Sequence, residues 1–137
     1  MGKQAKYKAA QVVLGPTVNL HRDPRAGRNF EAFSEDPVLT GHMAVALVNG
    51  IQSQGVGTCV RHFVCNESET LRKQYSSDVD ERTLREIYLA PFQWLVREAK
   101  PTAIMTSLVY REEGCSLLLI SLLGIINSME PIAARRH

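Results

Sequence analysis

The chain has 137 residues, of which 45% are hydrophobic and 22% charged, and its formal net charge is +2 at pH 7. This length suits one domain, and this composition is typical of a globular protein rather than a disordered one. Basic and acidic residues are interleaved, so we expect neither a nucleic-acid partner nor a strongly cationic one. The charge balance favours a neutral or small ligand.

The cysteines Cys59, Cys65 and Cys115 are odd in number and too few for a disulfide scaffold, which favours a reducing compartment. His62 lies between two of them, but no second ligand pair follows, so we expect no metal site. The N-terminal segment has no apolar stretch of secretory length, which predicts a cytoplasmic protein if the chain is expressed as it stands. The apolar segment 115–126 is too short to span a membrane, so no membrane partner is expected.

The first predicted strand, 11–14, leads into a long loop that is rich in charge, glycine and proline. Residues 15–37 mix charges with aromatic residues at spacings that suit neither a helix nor a strand, a pattern typical of a binding loop. Because Arg22, Arg25 and Arg28 alternate with acidic residues, we expect ion pairs to hold this loop rigid. An arginine fixed in this way can bind two oxygens of a sugar or a carboxylate with its planar fork of donors.

A helix is predicted next, from Asp36 to Gln54. Asp36 suits the N-cap, Pro37 suits the first turn, and Gly55 suits the end of the helix. The face of this helix that packs on the core is predicted to comprise Leu39, Met43, Ala46, Leu47 and Ile51.

The second predicted strand, 58–64, ends in Arg61 and His62. Alternation along a strand would put these two side chains on opposite faces, unless a bulge or twist turns both toward one pocket. As adjacent donors they suit a ligand rich in hydroxyl groups. In the alternative interpretation Arg61 pairs with Glu67 or Glu69, and His62 is a hydrogen-bonded histidine of the core.

A second helix is predicted over 80–100, followed by a third strand over 103–106. The apolar positions of the helix are Leu84, Tyr88, Phe92, Leu95 and Ala99, and Pro101 ends it. Strands that alternate with helices predict a parallel α/β sheet, either doubly wound or part of a barrel. Long polar loops follow the first two strands, and barrels place their chemistry on that side.

Five motifs occur in order along the first 107 residues. They are residues 14–37 (LGPTVNLHRDPRAGRNFEAFSEDP), 50–56 (GIQSQGV), 61–67 (RHFVCNE), 81–92 (ERTLREIYLAPF) and 99–107 (AKPTAIMTS). Together they closely resemble the N-terminal barrel domain of family 3 glycoside hydrolases, especially the fungal-type β-glucosidases. The resemblance implies that residues 1–107 fold as an incomplete segment of a (β/α)8 barrel.

The resemblance further implies hydrolysis of terminal non-reducing β-D-glucosyl residues of oligosaccharides such as cellobiose, as in cellulose degradation, with net retention and no cofactor. It implies that Arg28, Arg61 and His62 hold the hydroxyl groups of the sugar. Arg61 departs from the family, which usually has lysine there. Leu108 stands where the family usually has a tyrosine that borders the sugar.

In this family the nucleophilic aspartate and the acid/base glutamate lie in segments that this chain does not match, so we expect an inactive fragment with open sheet edges. Residues 108–137 are predicted to be an unrelated tail, from intron read-through or a frameshift. Two alternatives stay open: a non-catalytic sugar-binding or decayed remnant, and a β-xylosidase-type member. The aglycone, the oligomeric state and the secretion of a longer parent enzyme stay open as well.

Overall fold

The chain forms a three-stranded parallel sheet in a computed structural model that describes residues 1–72 and 74–107. The strands are β1 (Val12–Val13), β2 (Gly57–Phe63) and β3 (Ala103–Thr106), and β2 lies in the middle. All described strand pairs are parallel, which confirms the predicted α/β class. The predicted tail, 108–137, lies outside the described residues.

Helical segments connect the strands. In chain order they are α1 (Gly2–Tyr7), a 3-10 turn (Asn29–Glu31), α2 (Pro37–Gln52), α3 (Glu81–Thr83), a π-helical segment (Leu84–Tyr88), α4 (Ala90–Trp94) and a second π-helical segment (Leu95–Ala99). Helix α1 was not predicted from the sequence. Within the described residues, no helix combines the length and the apolar character that crossing a membrane requires.

Helix α2 begins as predicted, but of the five residues predicted to pack on the core only Ile51 is buried. Asp36 is the N-cap, and its side chain accepts a hydrogen bond of 2.8 Å from the backbone N–H of Val38. Leu39 and Met43 are each 49% exposed. The residues of α2 that are buried are Thr40, Gly41, Ala44, Val45, Val48 and Ile51.

Close packing of α2 against α4 explains why a different face of α2 is buried from the one predicted. Gly41 faces the indole of Trp94, and a Cβ atom at position 41 would lie 2.1 Å from the Trp94 Cε3 atom. The helix therefore approaches its neighbour through its small residues. Its larger apolar side chains, Leu39 and Met43, are left on the outer side.

The second predicted helix has the expected buried positions but a broken backbone. Leu84, Phe92, Leu95 and Ala99 are at most 5% exposed, as the periodicity predicted. The helix is divided near Pro91, which has no N–H to donate to the preceding turn. Wider π turns lie on both sides of α4, shown by the bonds from the Leu89 N–H to the Leu84 carbonyl and from the Lys100 N–H to the Leu95 carbonyl, each 2.9 Å.

The hydrophobic core lies between the sheet and the helices α2 and α4. Phe63 of β2 meets Phe92 of α4 edge to face, with ring centroids 5.0 Å apart, and Val48, Val60 and Leu95 are fully buried beside them. These contacts fix the end of β2 relative to the two helices. The polar residues that follow β1 and β2 are thereby held at the carboxyl edge of the sheet.

Candidate functional site

A pocket lined mostly by polar residues opens at the carboxyl ends of β1 and β2. Its walls come from three segments: the residues after β1, the 3-10 turn region of the long loop, and the residues after β2. The lining residues are Thr17, Asn19, Leu20, Ala26, Arg28, Asn29, Ala32, His62, Asn66, Glu67 and Glu69. This position matches the side of the sheet where the sequence predicted a binding loop.

A bulge in β2 brings His62 to this pocket. Arg61 pairs with Met105 and Phe63 pairs with Thr106, so that His62 is an extra residue in the ladder between β2 and β3. The bulge is the exception to strand alternation that the sequence left open. His62 lines the pocket, whereas the guanidinium of Arg61 lies beside Thr17.

Glu31 links the two predicted sugar-binding arginines. Its Oε1 atom accepts a short hydrogen bond from Arg28 Nε, and its Oε2 atom accepts one of 2.8 Å from Arg61 Nη2. Thr17 completes the group, since its hydroxyl donates to Glu31 Oε2 at 2.8 Å and accepts from Arg61 Nε at 3.2 Å. The alternative interpretation, in which Arg61 pairs with Glu67 or Glu69, is therefore wrong. The long loop places Glu31 beside Arg61 instead.

Glu69 holds the other side of the Arg28 guanidinium. Arg28 Nη1 donates to Glu69 Oε1 at 3.2 Å, Asn66 Nδ2 donates to the same oxygen at 3.1 Å, and Arg72 Nη1 donates to Glu69 Oε2 at 2.8 Å. Burial alone would raise the pKa of Glu69, but these hydrogen bonds outweigh it and the pKa lies below its usual range. The hydrogen bonds that Arg28 donates to Glu31 and Glu69 raise its pKa, although burial opposes the shift.

His62 is held by Asn19 on one side and faces Arg28 on the other. Asn19 Oδ1 accepts from the His62 backbone N–H at 2.9 Å and contacts His62 Nδ1 at 3.0 Å. His62 Nε2 lies 3.3 Å from Arg28 Nη1. Burial, followed by the positive charges of Arg28 and Arg61, lowers the pKa of His62 from 6.5 to about 4, so the ring is neutral at pH 7.

Glu67 is a carboxyl group that lines the pocket with few strong partners. Its Oε1 atom receives only long contacts, 3.5 Å each, from Asn19 Nδ2 and from the Leu20 backbone N–H. Burial raises the pKa of Glu67 from 4.5 to about 7. Near neutral pH this side chain can therefore both accept and donate a hydrogen bond.

The structure brings Arg28 and His62 together and leaves the other two arginines of the loop away from the pocket lining. Arg25 forms an exposed pair with Asp23, and the Arg22 guanidinium lies 5.3 Å from the ring centroid of Tyr88. The expected ion pairs in the loop are thus confirmed for Arg25 and Arg28.

No signal in the sequence indicated the site contacts of Thr17, Asn19, Asn66 and Arg72. Thr17 and Asn19 are polar yet at most 6% exposed, a burial that their sequence neighbourhood does not signal. Among residues 1–72 and 74–107, no three His, Cys, Asp or Glu side chains lie close enough to hold a metal ion. Chemically, the pocket offers guanidinium donors, an imidazole nitrogen and carboxyl oxygens, which together suit the hydroxyl groups of a sugar.

Parallel strands with helical crossovers and a polar pocket at their carboxyl ends are typical of α/β domains, doubly wound sheets and barrels alike. The family model described as the glycosyl hydrolase family 3 N terminal domain matches residues 1–114. The chain belongs to glycosyl hydrolase family 3.

Curated relatives and solved structures agree with this assignment. A β-glucosidase of Rhizobium radiobacter is 60% identical over 107 residues, which are 78% of this chain and 13% of that protein. The crystal structure of a Kluyveromyces marxianus β-glucosidase in complex with glucose superposes with a TM-score of 0.80 at 47% identity, over 82% of this chain and 14% of that one.

A third match comes from Thermotoga neapolitana. Its β-glucosidase 3B in complex with glucose gives a TM-score of 0.79 at 48% identity, over 81% of this chain and 16% of that one. The predicted fold class, an incomplete segment of the family's barrel domain, is confirmed. The chain spans about 13% of the length of the first curated relatives that it matches.

Proposed function

We propose that this chain forms the sugar-binding wall of a β-glucosidase site. One observation carries the proposal: Arg28 and His62 converge in one pocket, with Arg28 Nη1 3.3 Å from His62 Nε2, at the carboxyl edge of a parallel sheet. Relatives of the chain are named β-glucosidases, and two of the similar structures contain glucose. The proposed ligand is therefore a terminal β-D-glucosyl unit.

Arg28 is the proposed principal donor to the sugar. Glu31 and Glu69 accept from its Nε and Nη1 atoms, which fixes the plane of the guanidinium and leaves further N–H groups for a ligand. Holding the fork in place before binding reduces the entropy that binding would otherwise cost. His62 adds a ring nitrogen beside this fork.

Arg61 stays a proposed third ligand with a more restricted role. Its Nε and Nη2 atoms are engaged by Thr17 and Glu31, and its side chain is 24% exposed. The guanidinium has other N–H groups that are able to meet a hydroxyl at the edge of the pocket. By fixing Glu31, Arg61 also supports the position of Arg28.

For the whole protein we propose hydrolysis of terminal non-reducing β-D-glucosyl residues with retention, through two carboxyl groups and without a cofactor. For this chain alone we propose binding without turnover. Glu31 and Glu69 are ionised partners of arginines, and that pairing favours their charged forms, which makes both of them poor proton donors. Within the described part of the pocket this leaves Glu67, one carboxyl where the retaining mechanism needs two.

Calorimetric titration of the 137-residue chain with glucose tests the binding role. Arg28→Lys keeps the charge between two carboxylates but loses the fork, and we expect its affinity for glucose to fall by about tenfold or more. Arg25→Lys is the matched control, since Arg25 is exposed and pairs only with Asp23 in its loop. A native chain that does not bind glucose, or equal losses in both variants, would refute the proposal.

Two further measurements separate the alternatives. Xylose titrated in place of glucose should bind more weakly, and equal affinity would favour a β-xylosidase-type site. Hydrolysis of a chromogenic aryl β-glucoside should be absent from the purified chain. Turnover that is lost in Glu67→Gln would show that this carboxyl performs chemistry and would overturn the binding-only role.

A further inference from the structure

Asn19 makes three contacts with a single residue, His62. Its Oδ1 atom accepts from the His62 backbone N–H at 2.9 Å and lies 3.0 Å from His62 Nδ1, while its Nδ2 atom donates to the His62 carbonyl at 3.1 Å. Asn19 itself is only 5% exposed. The side chain therefore clamps both the backbone and the ring of a residue that lies 43 positions away in the sequence.

The two backbone contacts fix which way the Asn19 amide points. A backbone N–H can only donate and a backbone carbonyl can only accept, so the oxygen must face the His62 N–H and the nitrogen must face the His62 carbonyl. The atom beside His62 Nδ1 is therefore the amide oxygen, which accepts and cannot donate. For that contact to be a hydrogen bond, His62 Nδ1 must carry the proton.

Arg28 leads to the same tautomer from the opposite side of the ring. Its Nη1 atom, 3.3 Å from His62 Nε2, can only donate. A neutral imidazole has one donor and one acceptor nitrogen, so Nε2 is the acceptor and Nδ1 the donor. Two independent neighbours thus require one and the same proton position.

We propose that Asn19 is a positioning residue, which holds His62 as the Nδ1–H tautomer so that the Nε2 lone pair, which meets Arg28 Nη1 in this structure, can accept from a sugar hydroxyl that enters between the two side chains. This inference rests on the proposed sugar-binding function. A hydroxyl is both donor and acceptor, so a single hydroxyl can donate to Nε2 and accept from Arg28. A carboxylate cannot do both, because it has no proton to give to Nε2.

The low pKa of His62 agrees with this assignment. Burial and the nearby charges of Arg28 and Arg61 oppose a second proton on the ring. A proton at Nε2 would also point at the guanidinium of Arg28. The neutral ring with an unprotonated Nε2 is thus the state that its surroundings favour at neutral pH.

Long-range proton–nitrogen NMR of the ¹⁵N-histidine-labelled 137-residue chain at pH 7 reads the tautomer directly. The signal of His62 is identified by its loss in His62→Gln. We expect a protonated Nδ1 and an unprotonated Nε2 in the native chain. In Asn19→Ala the Nδ1–H population should fall, because its acceptor is gone, and the affinity for glucose should fall about tenfold as an ordered acceptor is lost.

Asn19→Asp loses the donor to the His62 carbonyl but keeps an oxygen that accepts from Nδ1 and adds a negative charge, so it should retain the Nδ1–H tautomer and raise the pKa of His62. Asn49→Asp on the exposed side of α2 is the matched control for charge and should change neither. If Asn19→Ala does not fold, the native tautomer and the pKa of His62 in Asn19→Asp still decide the question.

The results separate the inference from the proposed function. An Nε2–H tautomer in the native chain, or an Nδ1–H population that Asn19→Ala leaves unchanged, overturns the role of Asn19 even if glucose binds. A chain that shows the stated tautomers but does not bind glucose refutes the proposed function instead.

Discussion

Replacing Gly41 with alanine would drive a methyl group into the indole ring of Trp94. An added Cβ atom would lie 2.1 Å from Trp94 Cε3 and 2.8 Å from Cζ3, whereas carbon atoms in ordinary contact are about 3.5–4.0 Å apart. Gly50 lies on the same helix, α2, and an added Cβ there meets no atom within 4 Å. One substitution at two positions of one helix therefore isolates the effect of packing.

The expected magnitudes follow from two opposing effects. Alanine is favoured over glycine in a helix by about 1 kcal/mol, and this gain applies at both positions. Overpacking of a filled core costs about 1–3 kcal/mol, and an overlap as deep as that at Gly41 places the cost near the upper end. We expect Gly41→Ala to lower the free energy of unfolding by about 2 kcal/mol and Gly50→Ala to raise it by up to about 1 kcal/mol.

Urea unfolding followed by far-ultraviolet circular dichroism gives both free energies. A double-mutant cycle with Trp94→Leu adds a direct test, because removing the indole should cancel most of the penalty of Gly41→Ala. Trp94 is the only tryptophan of the chain, so its fluorescence reports on this contact in the native chain and in the two glycine variants. A Gly41→Ala chain as stable as Gly50→Ala would refute the close contact between Gly41 and Trp94 that explains which face of α2 is buried.

Three further predictions concern the electrostatics and the helix cap. Burial raises the pKa of Glu67 from 4.5 to about 7, so its contribution to the free energy of unfolding falls as the pH rises through that range, by up to about 3 kcal/mol. Burial lowers the pKa of His62 from 6.5 to about 4, so its contribution falls as the pH drops through that range. On acidification from pH 6.5 to 5, Glu67→Gln should therefore lose stability relative to the native chain, and His62→Gln should gain it. Urea titrations at several pH values give the free energy of unfolding of each chain. Equal dependence on pH in the three chains would contradict the prediction. Arg25→Ala should change the free energy of unfolding by less than about 0.5 kcal/mol, whereas Arg28→Ala should cost about 2 kcal/mol because Glu31 and Glu69 each lose a half-buried charged partner. Thermal melts measure this difference, and equal losses in the two variants would contradict it. Asp36→Ala should cost about 1 kcal/mol through the lost N-cap, and no change in the urea midpoint would count against that cap.

The periodic and capping signals of the sequence correctly predicted the alternation of strands and helical segments from residue 11 to residue 106, but not α1. Helix periodicity, helix caps and the residues that end a helix depend on neighbours within about four positions, so they can be recognised in the sequence. Asp36 at the start of α2 and the buried positions of the second helical segment were found in this way. The buried face of α2 was not predicted. Hydrophobicity favoured Leu39 and Met43, whereas the contact with Trp94 places Gly41 and the small residues near it against the core.

The long loop shows the same division between local and distant effects. Its arginines and acids predicted ion pairs, and the pairs of Arg25 and Arg28 are with partners two or three residues away. The partner of Arg61 lies 30 residues before it, and the sequence offered nearer acids in Glu67 and Glu69. Several acids were available in the sequence, and only the folded loop decided which of them reached the guanidinium.

By itself, the sequence determined the parallel α/β class, the family resemblance and the prediction that Arg28 and His62 belong to the site. Only the tertiary structure decided how they meet: a bulge in β2 brings His62 to the pocket, and Asn19, which is 43 residues away, clamps its ring. The physical reason is that backbone preferences and periodicity act over a few residues. The position of a proton on one imidazole, in contrast, depends on donors and acceptors that distant segments bring within about 3 Å of it.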